Sequence, residues 1–294
     1  MNKIIECVPN FSEGRDLEKI ERIVNVFRAK KNVKLLDYSS DKDHNRMVVT
    51  ITGEPEAVEK SIIEAVGVAI EIIDLSKQKG QHPRLGAVDV IPFIPIKNMT
   101  MEEADVLAKE TGKAIAEKYC LPVYLYEQSA SAEHRQNLAA IRKGEYEGLF
   151  EKMKQLEWKP DFGPEEPHLT AGATVVGARM PLIAFNVNLN TTRFEIADKI
   201  ARKVRFTGGG LRCCKAIGVN LKDKGLVQVS MNLTDYTKTS IYQAVEMIRF
   251  EAQRYGVTVA DCELVGLIPL QAVVDTVSYY LGLEGFSQNQ VLKD

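Results

Sequence analysis

The feature that most constrains the fold of this 294-residue chain is that its two halves run in the same order. Hydrophobic period and turn residues predict a strand at about 3–9, a helix at about 16–29, strands at about 33–39 and 46–52, a helix at about 55–76 and a strand at about 88–96. The second half predicts a strand at about 182–189, a helix at about 193–205, strands at about 213–221 and 226–233, a helix at about 239–255 and a strand at about 262–269. Strand–helix–strand–strand–helix–strand is the split βαβ, or ferredoxin-like, unit. Local echoes support a duplication: "ECVPNFSEGRDLEKI" (6–20) parallels "AFNVNLNTTRFEIADKI" (184–200), and "VDVIPFIPI" (88–96) parallels "CELVGLIPL" (262–270). The competing explanation is chance likeness between short segments. Duplication predicts an α+β protein of two ferredoxin-like (βαββαβ) subdomains in tandem, 1–180 and 181–294, with a ligand-binding cleft between them.

Several element boundaries carry physical signals. Thr100 precedes two glutamates in "TMEEAD", an N-cap with first-turn acids, and opens a predicted helix at about 101–119. Pro55 falls in a first helical turn, where its missing N–H removes nothing. A strand at about 122–127 and two short helices around 131–154 follow, and a last helix at about 270–282 ends the chain. Glu157–Gly172, with three prolines, two glycines and no periodicity, is the linker candidate.

A net charge of −2 with no long basic run argues against nucleic acid as a partner. No stretch reaches the ~18 apolar residues of a membrane span, and the apolar run before Pro9 is too short for a signal peptide. Five scattered cysteines without CxxC spacing suggest neither a disulfide framework nor zinc. These features together predict a cytoplasmic protein. "FTGGGLR" (206–212) lacks the spacing and the Lys-Ser/Thr of a phosphate loop and reads as a connection.

Only four histidines occur, and His82 stands between Gln81 and Pro83 at the mouth of the apolar run "GAVDVIPFIPI". A proline-restrained connection entering a strand holds a titratable group still. On these residues alone a capping or surface role for His82 outweighs a catalytic one. Pro92 and Pro95 are expected at the ends of that strand or on a sheet edge.

Longer motifs carry more. "ECVPNFSEGR", "KGQHPRLGAVDVIPF", "VYLYE", "IRKGEYEGL", "DFGP", "GATVVGAR", "LIAFNVNLN" and "LVGLIPL", in this order and across essentially the whole chain, resemble the glutamate formiminotransferase family. The resemblance implies transfer of the formimino group of N-formimino-L-glutamate to N5 of tetrahydrofolate, in histidine breakdown. Tetrahydrofolate would be a co-substrate, no metal would be needed, and the chain would form a homodimer. Animal members carry a fused cyclodeaminase, and a chain ending near 294 is expected to be the stand-alone form. The family's catalytic histidine lies in the HPR motif, here His82. Its folate contacts follow "DFGP", here Gly163, Pro164, Glu165, Glu166, Pro167, His168, Leu169, Thr170, Ala171 and Gly172. "PEEPHLTAGA" differs from the animal pattern.

That reaction requires a proton to leave N5 and another to reach the departing nitrogen, which a histidine near its ordinary pKa of ~6.5 does in turn. It also requires cations for carboxylates, for which Arg84 and Arg46 are the candidates. A carboxylate is expected beside the cationic amidine carbon. Asp37 is the candidate, while Asp89, inside an apolar strand, is either a second one or a structural acceptor. His44 and His134 read as a turn residue and a helix-start residue. Formyl transfer between 5-formyltetrahydrofolate and glutamate, or a non-catalytic folate-binding module, are the alternative functions.

Overall fold

The computed structural model describes residues 2–80, 82–221 and 224–292; Gln81, beside the candidate histidine, lies outside them. The chain divides into two compact units, Met1–Arg179 and Met180–Asp294.

The first unit opens with β1 (Ile4–Cys7) and β2 (Asn10–Phe11), then α1 (Leu17–Asn25), β3 (Val33–Asp41), β4 (Arg46–Gly53), α2 (Pro55–Ile72) and β5 (Val88–Lys97). β1 and β2 are consecutive pieces of one line, since both pair antiparallel with β4 and with β5. β3 pairs with β4, so these strands lie in the lateral order β3, β4, β1/β2, β5. α3 (Met101–Tyr119) then leads to β6 (Val123–Leu125), and α4 (Leu138–Arg142) and α5 (Glu145–Lys152) lead to β7 (Thr174–Ala178). β7 inserts parallel between β5 and β6. The second unit runs β8 (Ile183–Leu189), α6 (Phe194–Val204), β9 (Cys214–Leu221), β10 (Leu226–Leu233), α7 (Ile241–Gln253), β11 (Val259–Val265) and α8 (Leu270–Leu281). Its four strands form an antiparallel sheet in the order β11, β8, β10, β9.

Local chemistry sets the helix ends. Asp16 caps α1 through the amides of Glu18 and Lys19. Thr100 and Glu103 form the reciprocal capping box expected at α3. α2 stops at Ile72, short of the expected 76, because Asp74 Oδ1 takes the amide and hydroxyl of Ser76 in a local turn. α1 likewise ends at Asn25 rather than 29: Val26 and Phe27 turn into the core and Ala29 is left-handed (φ 53°).

Three expectations need correction. "GATVVGAR" received no element but holds β7, a fully buried strand whose continuous apolar run lacks the alternation of a half-exposed one. The segment Glu157–Gly172 is internal to the first unit and is no linker between the two. β11 begins at Val259 and stops before left-handed Gly266 (φ 75°), three residues earlier than expected at its start. The prolines of β5 are tolerated for separate reasons. Pro92 lies opposite the break between β1 and β2, its carbonyl taking Val8 N (3.3 Å), and Pro95 lies beyond the last pair with β7.

β5 is buried on both sides. One core joins Phe11, Ile51, Ile62, Ile91, Phe93 and Ile115 from the strands and α1–α3. A smaller one joins Val90, Tyr124, Val175, Ile141 and Leu149, placing α4 and α5 over the parallel strands. The second unit has its own core, including Val187, Ile200, Val229 and Ile248. Among the described residues no helix is long and apolar enough to cross a membrane.

Glycine at 86 is required by a close approach: a Cβ there would fall under 3.0 Å from Ala173 O. Gly148, within α5, has nothing within 4 Å of its would-be Cβ. Gly86→Ala should therefore lower stability by about 1–3 kcal/mol through overpacking. Gly148→Ala should raise it by roughly 0.5–1 kcal/mol through helix propensity. Urea unfolding of both variants checks this, and shifts of the same sign would contradict it.

Candidate active site

Three loops of the first unit converge where β2, β4 and β5 begin or end. Glu13 is almost fully buried; its Oε1 accepts the amides of Arg15 (2.9 Å) and Asp16 (3.1 Å), and its Oε2 accepts Gln78 Nε2 (3.0 Å). Asn45, left-handed at φ 50°, accepts Gly14 N (3.0 Å) and donates to Gln78 Oε1 and to Lys79 O (3.2 Å). Ser12 Oγ donates to Gly86 O (2.7 Å). The bonds from Glu13 and Asn45 to Gln78 and Lys79, and from Ser12 to Gly86, hold the connection from 78 to 87 against the turns before α1 and before β4. Such buried polar groups are held in place because leaving them unpaired is costly.

His82 lies on that connection and is mostly buried. Its Nε2 is 3.3 Å from Arg46 Nη1 and 3.9 Å from Asp89 Oδ2. Its ring meets that of His44 at 6.4 Å between centroids, inclined by 60°. Asp89, 1% exposed on β5, accepts Leu85 N on Oδ1 (2.8 Å) and the Arg142 guanidinium on Oδ2. Burial, followed by the charges of Arg46 and Arg142, pulls the His82 pKa down to about 3. His82 is therefore a neutral imidazole, not the histidine of ordinary basicity expected for this reaction.

Arg142 ends α4, which Asn137 caps through Ala139 N (3.1 Å). The far end of that helix is held by Lys152, the last residue of α5. Its ammonium donates to the carbonyls of Ala140 and Ile141 (both 2.7 Å) and of Lys143 (3.2 Å), and lies 3.8 Å from the Trp158 ring centroid. Burial and Lys143 pull the Lys152 pKa down to about 8.

The expected site residues separate into two groups. Arg46, at the start of β4, is half-buried beside His82. Arg84 points its guanidinium elsewhere: to Glu147 (2.6 and 3.3 Å), Glu145 (3.1 Å) and Gln78 O (2.8 Å). It lines an open depression with Lys79, Gly80, Gly144, Glu145 and Glu147, where the two carboxylates already pair with its guanidinium. Asp37 is exposed on β3 opposite Thr50. It stands four strand positions, about 13 Å, from Asp41, the partner of Arg46, so the carboxylate next to His82 is Asp89.

The segment after "DFGP" has two parts. Gly163 (φ 86°), Pro164, Glu165 and Glu166 are exposed, with Glu165 paired to Lys159 (2.7 Å). His168 to Gly172 closes on itself through His168 N to Gly172 O (2.9 Å) and Gly172 N to His168 O (2.8 Å). His168 Nδ1 accepts the amides of Ala171 (3.1 Å) and Thr170 (3.3 Å). Thr170 O accepts Leu75 N (2.8 Å), Ala171 O accepts Ala87 N (3.0 Å), and Tyr146 OH donates to Leu169 O. The 168–172 turn is thus sewn to the chain on both sides of His82. His134 Nε2 meets Glu157 O (3.0 Å) and packs edge-on against Trp158, away from this cluster.

The chain matches the model of the formiminotransferase domain, N-terminal subdomain, over residues 4–179, and that of the formiminotransferase domain over 184–291. It is 47% identical to a glutamate formimidoyltransferase of Streptococcus pyogenes, over all of this chain and 99% of that protein. It is also 47% identical to a glutamate formimidoyltransferase of Thermoplasma acidophilum, over 99% of this chain and 96% of that protein. It is 45% identical to a formimidoyltransferase-cyclodeaminase of Mus musculus, over 97% of this chain but 53% of that protein. With both units matched in order and the two glutamate formimidoyltransferases covered nearly end to end, this chain belongs to the formiminotransferase domain family.

Proposed function

We propose that this protein transfers the formimino group of N-formimino-L-glutamate to N5 of tetrahydrofolate, giving 5-formiminotetrahydrofolate and glutamate, with His82 as the proton carrier. The observation that carries the activity is the 47% identity, over essentially the full length, to two proteins named glutamate formimidoyltransferase. The position of the imidazole among Arg46, Asp89 and Arg142 supports the role of His82.

In this reading N5 attacks the amidine carbon and its proton passes to the His82 imidazole. A tetrahedral intermediate forms, and the bond from that carbon to the glutamate nitrogen then breaks as His82 returns the proton to that nitrogen. Protons balance, and one group serves both steps. Asp89 stabilises the transient imidazolium through space and accepts no proton itself, because Leu85 N and Arg142 already hold its two oxygens. The turn from His168 to Gly172 is the part of the expected folate segment that lies against the His82 connection, and it presents the side chain of Leu169, 74% exposed.

The strand orders β5, β1/β2, β4, β3 and β11, β8, β10, β9 are the same permutation of first to fourth strand, which supports a tandem pair of ferredoxin-like modules. β6 and β7 then extend only the first.

His82→Asn should lower kcat by roughly 10²–10⁴-fold with folate affinity little changed. A coupled spectrophotometric assay with formiminoglutamate and tetrahydrofolate measures this, and retention of most of kcat would remove His82 from the chemistry. The pH profile gives a second test. A base whose pKa is depressed stays unprotonated to low pH, so the acid limb of kcat/KM due to His82 should lie well below pH ~6.5. Arg46→Gln removes a neighbouring positive charge and should move that limb to higher pH. Movement in the opposite direction would contradict the electrostatic account.

A further inference from the structure

A base held near pKa 3 is poorly matched to taking a proton at neutral pH, so the ligand-free site lacks something its chemistry needs. The surrounding charges show what. On the described residues, Arg46 reaches His82 from β4, Asp89 from β5, Arg142 from α4 and His44 from the turn between β3 and β4. Behind Arg46, Asp41 is exposed and bonded to the amides of Asp43 and His44 and to the His44 ring. Near Arg142, Tyr126 is kept neutral by burial, its pKa pushed up to about 12, and its side chain hydrogen-bonds that of Arg179, with Glu127 close by. Two guanidiniums therefore stand against one buried carboxylate. Among the described residues Arg46 has no carboxylate at ion-pair distance, and Arg142 Nε is buried without a partner.

We infer that Arg142, together with Arg46, seats a carboxylate of the formiminoglutamate donor beside His82. Both arginines converge on the same imidazole, Arg46 directly and Arg142 one carboxylate oxygen away through Asp89. A carboxylate there would compensate the second guanidinium, Arg46, a half-buried charge otherwise without a carboxylate at ion-pair distance among the described residues. It would also remove much of the positive potential acting on His82, so the donor itself would restore the strength of the base that acts on its acceptor. The carbonyl cage of Lys152 holds the end of α4, so the Arg142 backbone is fixed before the donor arrives. Arg84 is excluded from this seat by Glu145 and Glu147.

The inference rests on the formimino-transfer reading, and its test separates the two. The probe is L-glutamate, which carries both carboxylates of the donor. The readout is the imidazole NMR titration of His82, assigned by its loss in His82→Asn. Saturating L-glutamate should raise the His82 midpoint in the wild-type protein by about one unit or more, as removal of a neighbouring charge does. Arg142→Gln should weaken glutamate binding and raise KM for formiminoglutamate by roughly 10–100-fold, the loss of one or two charge-assisted hydrogen bonds, leaving KM for tetrahydrofolate unchanged. Arg142→Lys keeps a cation opposite Asp89 and should retain much of the linked shift. An unmoved His82 midpoint in the wild type at saturating glutamate overturns the seat, whatever the variants do. A rise in KM for tetrahydrofolate in place of the donor also overturns it, since the carboxylate would then belong to folate. Wild-type turnover without the shift rejects the seat and keeps the function; the shift without turnover keeps the seat and rejects the function.

Discussion

The Asp89 carboxylate is the interaction on which the rest of the first unit's chemistry depends. An acid inside an apolar strand loses several kcal/mol of hydration unless both oxygens are met. Here Leu85 N meets one oxygen and Arg142 the other, at sequence separations of 4 and 53 residues. The first bond shapes the connection that carries His82, and the second draws the end of α4 over the sheet. A carboxylate whose demand for partners organises two distant segments also fixes the charge that faces the imidazole.

The sheet explains why these segments can meet. β5 has β1/β2 on one side and β7 on the other, and apolar layers over both faces. A strand buried in this way positions its first residues with little freedom, and the His82 connection is continuous with it. The glycines at 14, 80 and 86 let three loops approach more closely than side chains would permit. Rigid strands carry the connection, and the loops carry the function, the usual division of labour in such sites.

Where the chain's own neighbours decide a conformation, the sequence was legible. The capping box at Thr100 and the proline at the start of α2 follow from signals within a few residues. His82 stands out through its motif alone, and nothing local marks its burial. What local signals leave unread are the partners made by tertiary structure. Arg84 and Asp37 stand where a local reading favours them, yet Arg84 meets Glu147 from 63 residues away, and Asp37 falls on the far part of a strand. Arg142 sits in a quoted motif without any local mark of its pairing with Asp89. β7 was missed because a strand covered on both faces shows no alternation.

The bridge between Gly86 and Gly172 bears on how the molecule is made. The anchor of the His82 connection, Ala173 N on Leu85 O, belongs to residues about as far along the chain again as His82 is from its start. At about 5–20 residues per second during synthesis, several seconds or more separate the appearance of the histidine on the ribosome from that of the strand that secures it. Through that interval β5 lacks its parallel neighbour and presents an open, strongly apolar edge. The antiparallel strands already made cover only the opposite edge of β5, so shielding of this one in the nascent chain, as by a chaperone, is part of what the architecture demands of the cell.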